Sequence, residues 1–490
     1  MNFRFTIALL LLLSCTYGYG QEILVPADSI ARAAKMESFR KKLYHDNQRP
    51  KNPIATDDPN VIFNGIAGIG TYYAENLYIA GKRGLNDEEW ERRKQIILEK
   101  VNQSKSRWDH FNASRYFGLL THDAHFKFPD DGHFNRDKFF KETDTIFPLW
   151  VKTWKDGSVY CVKDYSGQIP RNANILSVNG HSAREMALLN RAIAPGEEAV
   201  AMADMNGRYE ADPRSWPNFT NFLFLEGIKS PYHVIYTTSG NRLQDTIVIN
   251  GMTRGEVTKQ FKKLTRDNRG FLGIDRDGIT DLVIDLSSNS GGMAENIYYT
   301  LSYLTDKPVD MNGTTYHIAN RNRELVKTNI SRSPEITKAA RDSLITYIDQ
   351  LESGTIFSTD TVCNLSYTPF SSAHKFTGNV YVLTGNATYS AAQMFARYCQ
   401  TLDIGPVAGE HCGGYTEITG GNGIQIPFSQ GFGWLTLKVP FGATQICKDD
   451  DPYDYPPVDI PIEHPFEEWL EDENHTMDKL IEIIRSNRLL

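Results

Sequence analysis

Ser390 stands where a short apolar run ends and a helical pattern begins, and that position gives a hydroxyl the means to attack a carbonyl. Val380, Tyr381, Val382 and Leu383 suit a buried strand, and Gly385-Asn386 breaks it. Ala392, Phe395, Cys399 and Leu402 then recur at spacings of 3, 4 and 3, which gives the following helix one apolar face. A serine at a helix start has unpaired backbone N–H groups and the positive end of the helix dipole beside it, both suited to a developing oxyanion. This is the logic of a nucleophile elbow, although the G-x-S-x-G spelling is absent. The same position also suits an ordinary N-cap serine, whose hydroxyl accepts from the helix's own N–H groups. On this stretch alone both readings stand.

A second strand, turn and helix occupies Asp281 to Leu304. Leu282 to Leu286 is another buried-strand run. Asn289-Ser-Gly-Gly292 follows as a bend in which glycine lets backbone N–H groups approach a ligand. Together the two turns resemble the tail-specific (C-terminal processing) and tricorn-core family of serine peptidases. That family pairs a D-L-R-x-N-x-G-G loop with a T-x-S-A-x-E serine turn. Here they read Asp285-Leu-Ser-Ser-Asn-Ser-Gly-Gly292 and Thr388-Tyr-Ser-Ala-Ala-Gln393, with Ser287 at the arginine position and Gln393 at the glutamate position. Val407-Ala-Gly-Glu-His-Cys-Gly-Gly414 is similar to the family's V-x-G-E-x-T-x-G strand and loop, and the resemblance covers Trp108 to Glu463.

The resemblance implies a serine activated by a base, and its branches differ in which base. The C-terminal processing branch has a lysine 25 residues after the serine, where this chain has Tyr415, a neutral phenol that replaces a desolvated amine poorly. The tricorn-like branch takes a histidine from a D-x-H motif, matched here by Asp123-Ala124-His125. An imidazole, titrating near about pH 6.5, can take the hydroxyl proton and return it to a leaving amine. The resemblance therefore implies Ser390 as nucleophile, His125 as base, and the N–H groups of Ala391 and of Gly291 or Gly292 as oxyanion donors. His411 is a rival base, and His122 with His125 lacks the spacing of a zinc pair. Cys412 occupies a family threonine position. A carboxylate that orients the base is expected ahead of the Val458-Asp-Ile460 strand. No glutamate stands there, and Asp451 is the expected residue, with Asp449 and Asp454 as neighbours and Asp459 as a structural one.

The elements that must carry these residues follow from the chain in order. Met1 to Gly20 has Arg4, an apolar block at Ile7 to Leu13 and small residues at its end, the pattern of a signal peptide. An imperfect lipobox at Leu12-Leu-Ser-Cys15 is the alternative, with Cys15 as a lipid anchor. Export to the periplasm or the exterior is expected either way, and no later stretch is apolar enough to span a bilayer. Residues 21–107 read as a helical region, with helix formers at Ala27 to Tyr44 and at Asn86 to Val101, where Asn86-Asp-Glu-Glu89 supplies a cap. Residues 108–157 carry the histidine motif. Residues 158–255 are β-rich, and Ile175-Leu-Ser-Val-Asn-Gly180 leading into helix-like Ser182 to Ala192 resembles the middle of a PDZ domain. A generic strand, turn and helix fits as well. Strands are expected at His233 to Thr238, at Asp245 to Asn250 and within Gly423 to Val439. Residues 256–464 form the expected peptidase core, and 465–490 a last helix over Phe466 to Ser486 with Trp469, Leu480, Ile483 and Ile484 on its core face.

The fold class so implied is α/β, with a crotonase-like (ClpP-like) spiral core. The net charge of −8 without basic clusters argues against nucleic acid or an anionic membrane as partner. The resemblance implies a polypeptide substrate, endopeptidase activity and no metal or organic cofactor. Six cysteines, five after removal of Cys15, leave at least one thiol free. The departures at Ser287, Gln393 and Asp451 keep a second class open, a catalytically silent protein of the same fold that binds peptide or a hydrophobic ligand.

Overall fold

The computed structural model describes residues 86–487 except for internal stretches, chiefly 104–108, 131–142, 204–218, 239–243, 262–278, 319–322, 333–336, 370–374, 420–422, 429–434 and 467–474. The expected signal peptide and the helix at Ala27 to Tyr44 lie outside the described residues. Helix α1, Asp87–Asn102, starts as its sequence dictates: Asn86 Oδ1 accepts the Glu89 N–H at 2.8 Å. Strand β1, Lys127–Asp130, follows the histidine motif directly.

The β-rich part is an antiparallel sheet. Among the described residues its strands run in the order β2 (Leu149–Thr153), β3 (Val159–Asp164), β4 (Asn174–Val178), β5 (Tyr232–Thr237) and β6 (Asp245–Ile249), with a short sixth strand, His181–Ser182, against β4. Helix α2, Ala183–Ile193, begins at the cap Ser182, whose hydroxyl accepts from Glu185 N–H, and packs Ala183, Met186, Ala187 and Ile193 into this sheet's core. A short helix, α3, spans Glu198–Ala203.

Among the described residues the core is a parallel sheet of four strands in the order β7 (Asp281–Asp285), β8 (Asn379–Thr384), β9 (Val407–Gly409), Ile460–Pro461. Alternation along these strands explains their unbroken apolar runs. Leu282, Ile284, Val380, Val382 and Val407 bury on one face, with Phe395 and Cys399 of helix α4 (Ala391–Thr401). Val283, Leu383 and Ala408 bury on the other, with Met477, Leu480 and Ile484 of the last helix, His475–Asn487. That helix was expected from Phe466. It is described only from His475, and Trp469 lies outside the described residues.

Between β7 and β8 a small layer forms its own core. Helices Arg323–Arg332 and Lys338–Gln350 pack Val326, Ile330, Leu344 and Ile348 against Tyr316 and Phe357. After α4, strand β10, Glu417–Thr419, pairs with Gly442–Gln445, and β11, Gly423–Phe428, forms a hairpin with β12, Leu435–Pro440. Strand β1 joins this hairpin's edge antiparallel, Lys127 opposite Lys438 and Asp130 opposite Thr436. That pairing, far apart in sequence, brings the histidine motif to the core. Among the described residues no helix is long and apolar enough to cross a membrane.

Candidate active site

The carboxyl ends of β7, β8 and β9 converge, and the turns leaving them build the site, as is usual for open parallel sheets. The turns are stitched together by hydrogen bonds. Tyr389 N–H donates to Asn289 O at 3.1 Å, Gly413 N–H to Thr388 O at 2.8 Å, and the buried Thr388 hydroxyl to Leu286 O at 2.7 Å.

Ser390 sits at φ 56°, ψ −127°, and its side chain makes no capping bond. The N-cap reading fails on both counts, since a cap has extended dihedrals and spends its hydroxyl on the helix. A positive φ is costly for serine and persists only where its surroundings impose it. The surroundings here are the glycine turn. Gly291, itself at φ +97°, lies so close that a Cβ would stand 2.6 Å from Tyr389 O and 2.7 Å from Ser390 Cβ.

His125 Nε2 lies 2.9 Å from Ser390 Oγ across 265 residues of sequence. On its far side Nδ1 lies 3.3 Å from the Thr419 hydroxyl. For Nε2 to accept the serine proton, Nδ1 must carry the ring's hydrogen, and Thr419 Oγ1 is placed to accept it. The Tyr389 ring stands 5.1 Å from the imidazole.

Asp451 is not the residue that orients the base. It is exposed and caps its own loop, accepting Tyr453 N–H at 3.0 Å. The acidic loop is pinned to α4 instead, by a bidentate pair between Arg397 and Asp450 at 2.6 and 2.9 Å and by bonds from Thr416 to the carbonyls of Asp451 and Asp454. Asp459 accepts from Val407 N–H and Gln400, a structural role as expected. The reading missed Thr419, because a threonine in a three-residue strand carries no sequence signal of a role at an imidazole. Thr419→Val, which removes a hydrogen bond of about 1 kcal/mol, is expected to lower kcat about three- to tenfold in steady-state assays, and Asp451→Asn to leave it unchanged.

Gly291 differs from its expected role too. Its N–H donates to Asn289 Oδ1 at 2.9 Å and is spent within its own turn. The rivals fall away on geometry. His411 is exposed, stacked on Tyr455 at 4.2 Å, with Nδ1 on Cys412 O. Cys412 is buried, and burial pushes its thiol up to about 12, far from the thiolate a nucleophile needs. Cys161, Cys399 and Cys447 are also free, and Cys363 lies outside the described residues, as does His122. Gln393, at the family glutamate position, is buried and donates to Tyr415 O at 2.6 Å.

The model of peptidase family S41 matches residues 246–432. The likeness to this family is confined to that segment. The segment contains Ser390, both glycine turns and Thr419, while His125 lies before it, so the base is supported by geometry alone. The mature CPAF crystal structure superposes with a TM-score of 0.50 at 12% identity, covering 86% of this chain and 98% of that one, a likeness of fold. The photosystem II D1 C-terminal processing protease gives 0.35 at 13% identity, covering 84% and 94%. No curated protein matches the chain significantly. The S41 segment supports a peptidase with polypeptide substrates on an α/β fold.

Proposed function

We propose that this protein is an exported serine endopeptidase of the S41 type that works through Ser390 and His125. The observation that carries the reading is the 2.9 Å approach of His125 Nε2 to a serine hydroxyl held in a strained turn and spent on no cap. Ser390 Oγ attacks the peptide carbonyl carbon while its proton passes to His125 Nε2, and the carbonyl electron pair moves to oxygen. The N–H groups of Gly292 and Ala391 stabilise that oxyanion. Collapse breaks the C–N bond, His125 protonates the leaving amine, and water repeats the sequence on the acyl-enzyme. Gly291 serves by having no side chain, which admits the serine turn.

The hydrophobic leader at Met1 to Gly20 supports export. The β-rich sheet, with α2 against it, is suited to hold a substrate strand by its edge in the manner of a PDZ domain. Digestion of an unfolded polypeptide such as casein, read by mass spectrometry, tests the reading. Internal fragments absent with Ser390→Ala are expected. Stepwise terminal trimming would make the enzyme an exopeptidase, and no products from folded wild-type protein would favour the silent binding protein.

A further inference from the structure

The residue before the nucleophile is bonded to the residue before the base. Tyr389 OH accepts the Ala124 N–H at 3.2 Å while its ring stands beside the His125 imidazole at 5.1 Å, so one side chain joins the serine turn to the histidine turn. The ring is locked. Tyr389 is 5% exposed, and Gly414 lies so close that a Cβ would stand 2.5 Å from Tyr389 Cε2. A phenol has one donor, and here it points to Glu197 Oε1 at 3.4 Å. Glu197 is 1% exposed, and its carbonyl accepts Ala201 N–H at 3.0 Å in the first turn of α3, which fixes the backbone behind the carboxyl group. A carboxyl group buried that deeply needs donors, and a phenol that donates becomes a better acceptor for the next N–H in the chain.

We propose that Glu197 and Tyr389 are positioning residues that hold the Ala124-His125 turn, and through it the imidazole, against Ser390. The proposal rests on the Ser390–His125 reading. It supplies what the acidic loop at Asp451 does not, a carboxyl group that acts on the base from the opposite end of the sequence and through the backbone of its turn rather than its ring. It also ties the segment after α2 of the β-rich sheet to the catalytic turn.

The test is the rate of acylation by a fluorophosphonate, normalised to titrated active sites, with kcat and KM on a peptide substrate. Tyr389→Phe keeps the ring and removes the hydroxyl. About a tenfold loss in acylation rate and in kcat is expected, with KM and the titratable fraction unchanged. Glu197→Ala is expected to lose as much, the double variant no more than either single, and Glu197→Gln, which keeps an acceptor for the phenol, to recover most of the rate. A purely structural role would lower the titratable fraction and leave the rate per site alone. Tyr389→Phe at the wild-type rate, or losses that multiply in the double variant, would overturn the proposal. Wild-type protein that titrates no site at all would overturn the Ser390–His125 reading itself.

Discussion

Ser390→Ala and His125→Ala are each expected to lower kcat by about ten-thousandfold to a millionfold, and the double variant to lose no more than the worse single. The reason is that the two act as one unit. At 2.9 Å the imidazole is placed to take the hydroxyl's proton, and in the proposed mechanism neither residue works without the other. Residual turnover above the water rate, about a thousandfold or more, would come from the oxyanion donors and from binding. Steady-state kinetics on the three variants, with circular dichroism to verify folding, measures this. Additive losses would mean that Ser390 and His125 serve separate steps.

The second large effect belongs to a residue with no side chain. Gly291→Ala places a methyl group 2.6 Å from Tyr389 O, 2.7 Å from Ser390 Cβ and 3.0 Å from Ala391 N, and two of those three atoms are backbone, which cannot swing away. Alanine at φ +97° is strained as well. The serine turn must shift by several tenths of an ångström or more, against a proton transfer that needs hydrogen-bond distance. We expect kcat to fall about a hundredfold or more. The cores on either face of the parallel sheet are untouched, so the far-ultraviolet spectrum should be that of wild type. Activity within a factor of about two of wild type would show that the turn tolerates a side chain and that Ser390 is not held by this contact.

Much of this site was legible in the sequence, for physical reasons. The apolar runs at Leu282 to Leu286 and Val380 to Leu383 suit a strand buried on both faces, and the glycine turns after them mark where backbone groups crowd. The α4 periodicity gave its buried face. His125 was legible only through a resemblance, because the pairing of β1 with β12 that delivers it is long-range and leaves no local trace. The two readings of Ser390, cap or nucleophile, differ in φ and in where the hydroxyl points, and sequence reports neither. Asp451 was misplaced because a run of three aspartates shows charge without direction. Which carboxylate faces the site depends on the Arg397–Asp450 pair, and that pair turns the loop onto α4. Thr419 and Glu197 were invisible for the opposite reason: each is an ordinary residue in an ordinary element, and only burial and proximity give it a role.

The measurement that bears most directly on the account is mass-spectrometric location of the adduct formed when the purified protein meets a fluorophosphonate. The account predicts a single adduct on Ser390 in the wild type and none in His125→Ala. An adduct on another residue, an adduct on Ser390 undiminished by His125→Ala, or no adduct on folded wild-type protein would contradict it.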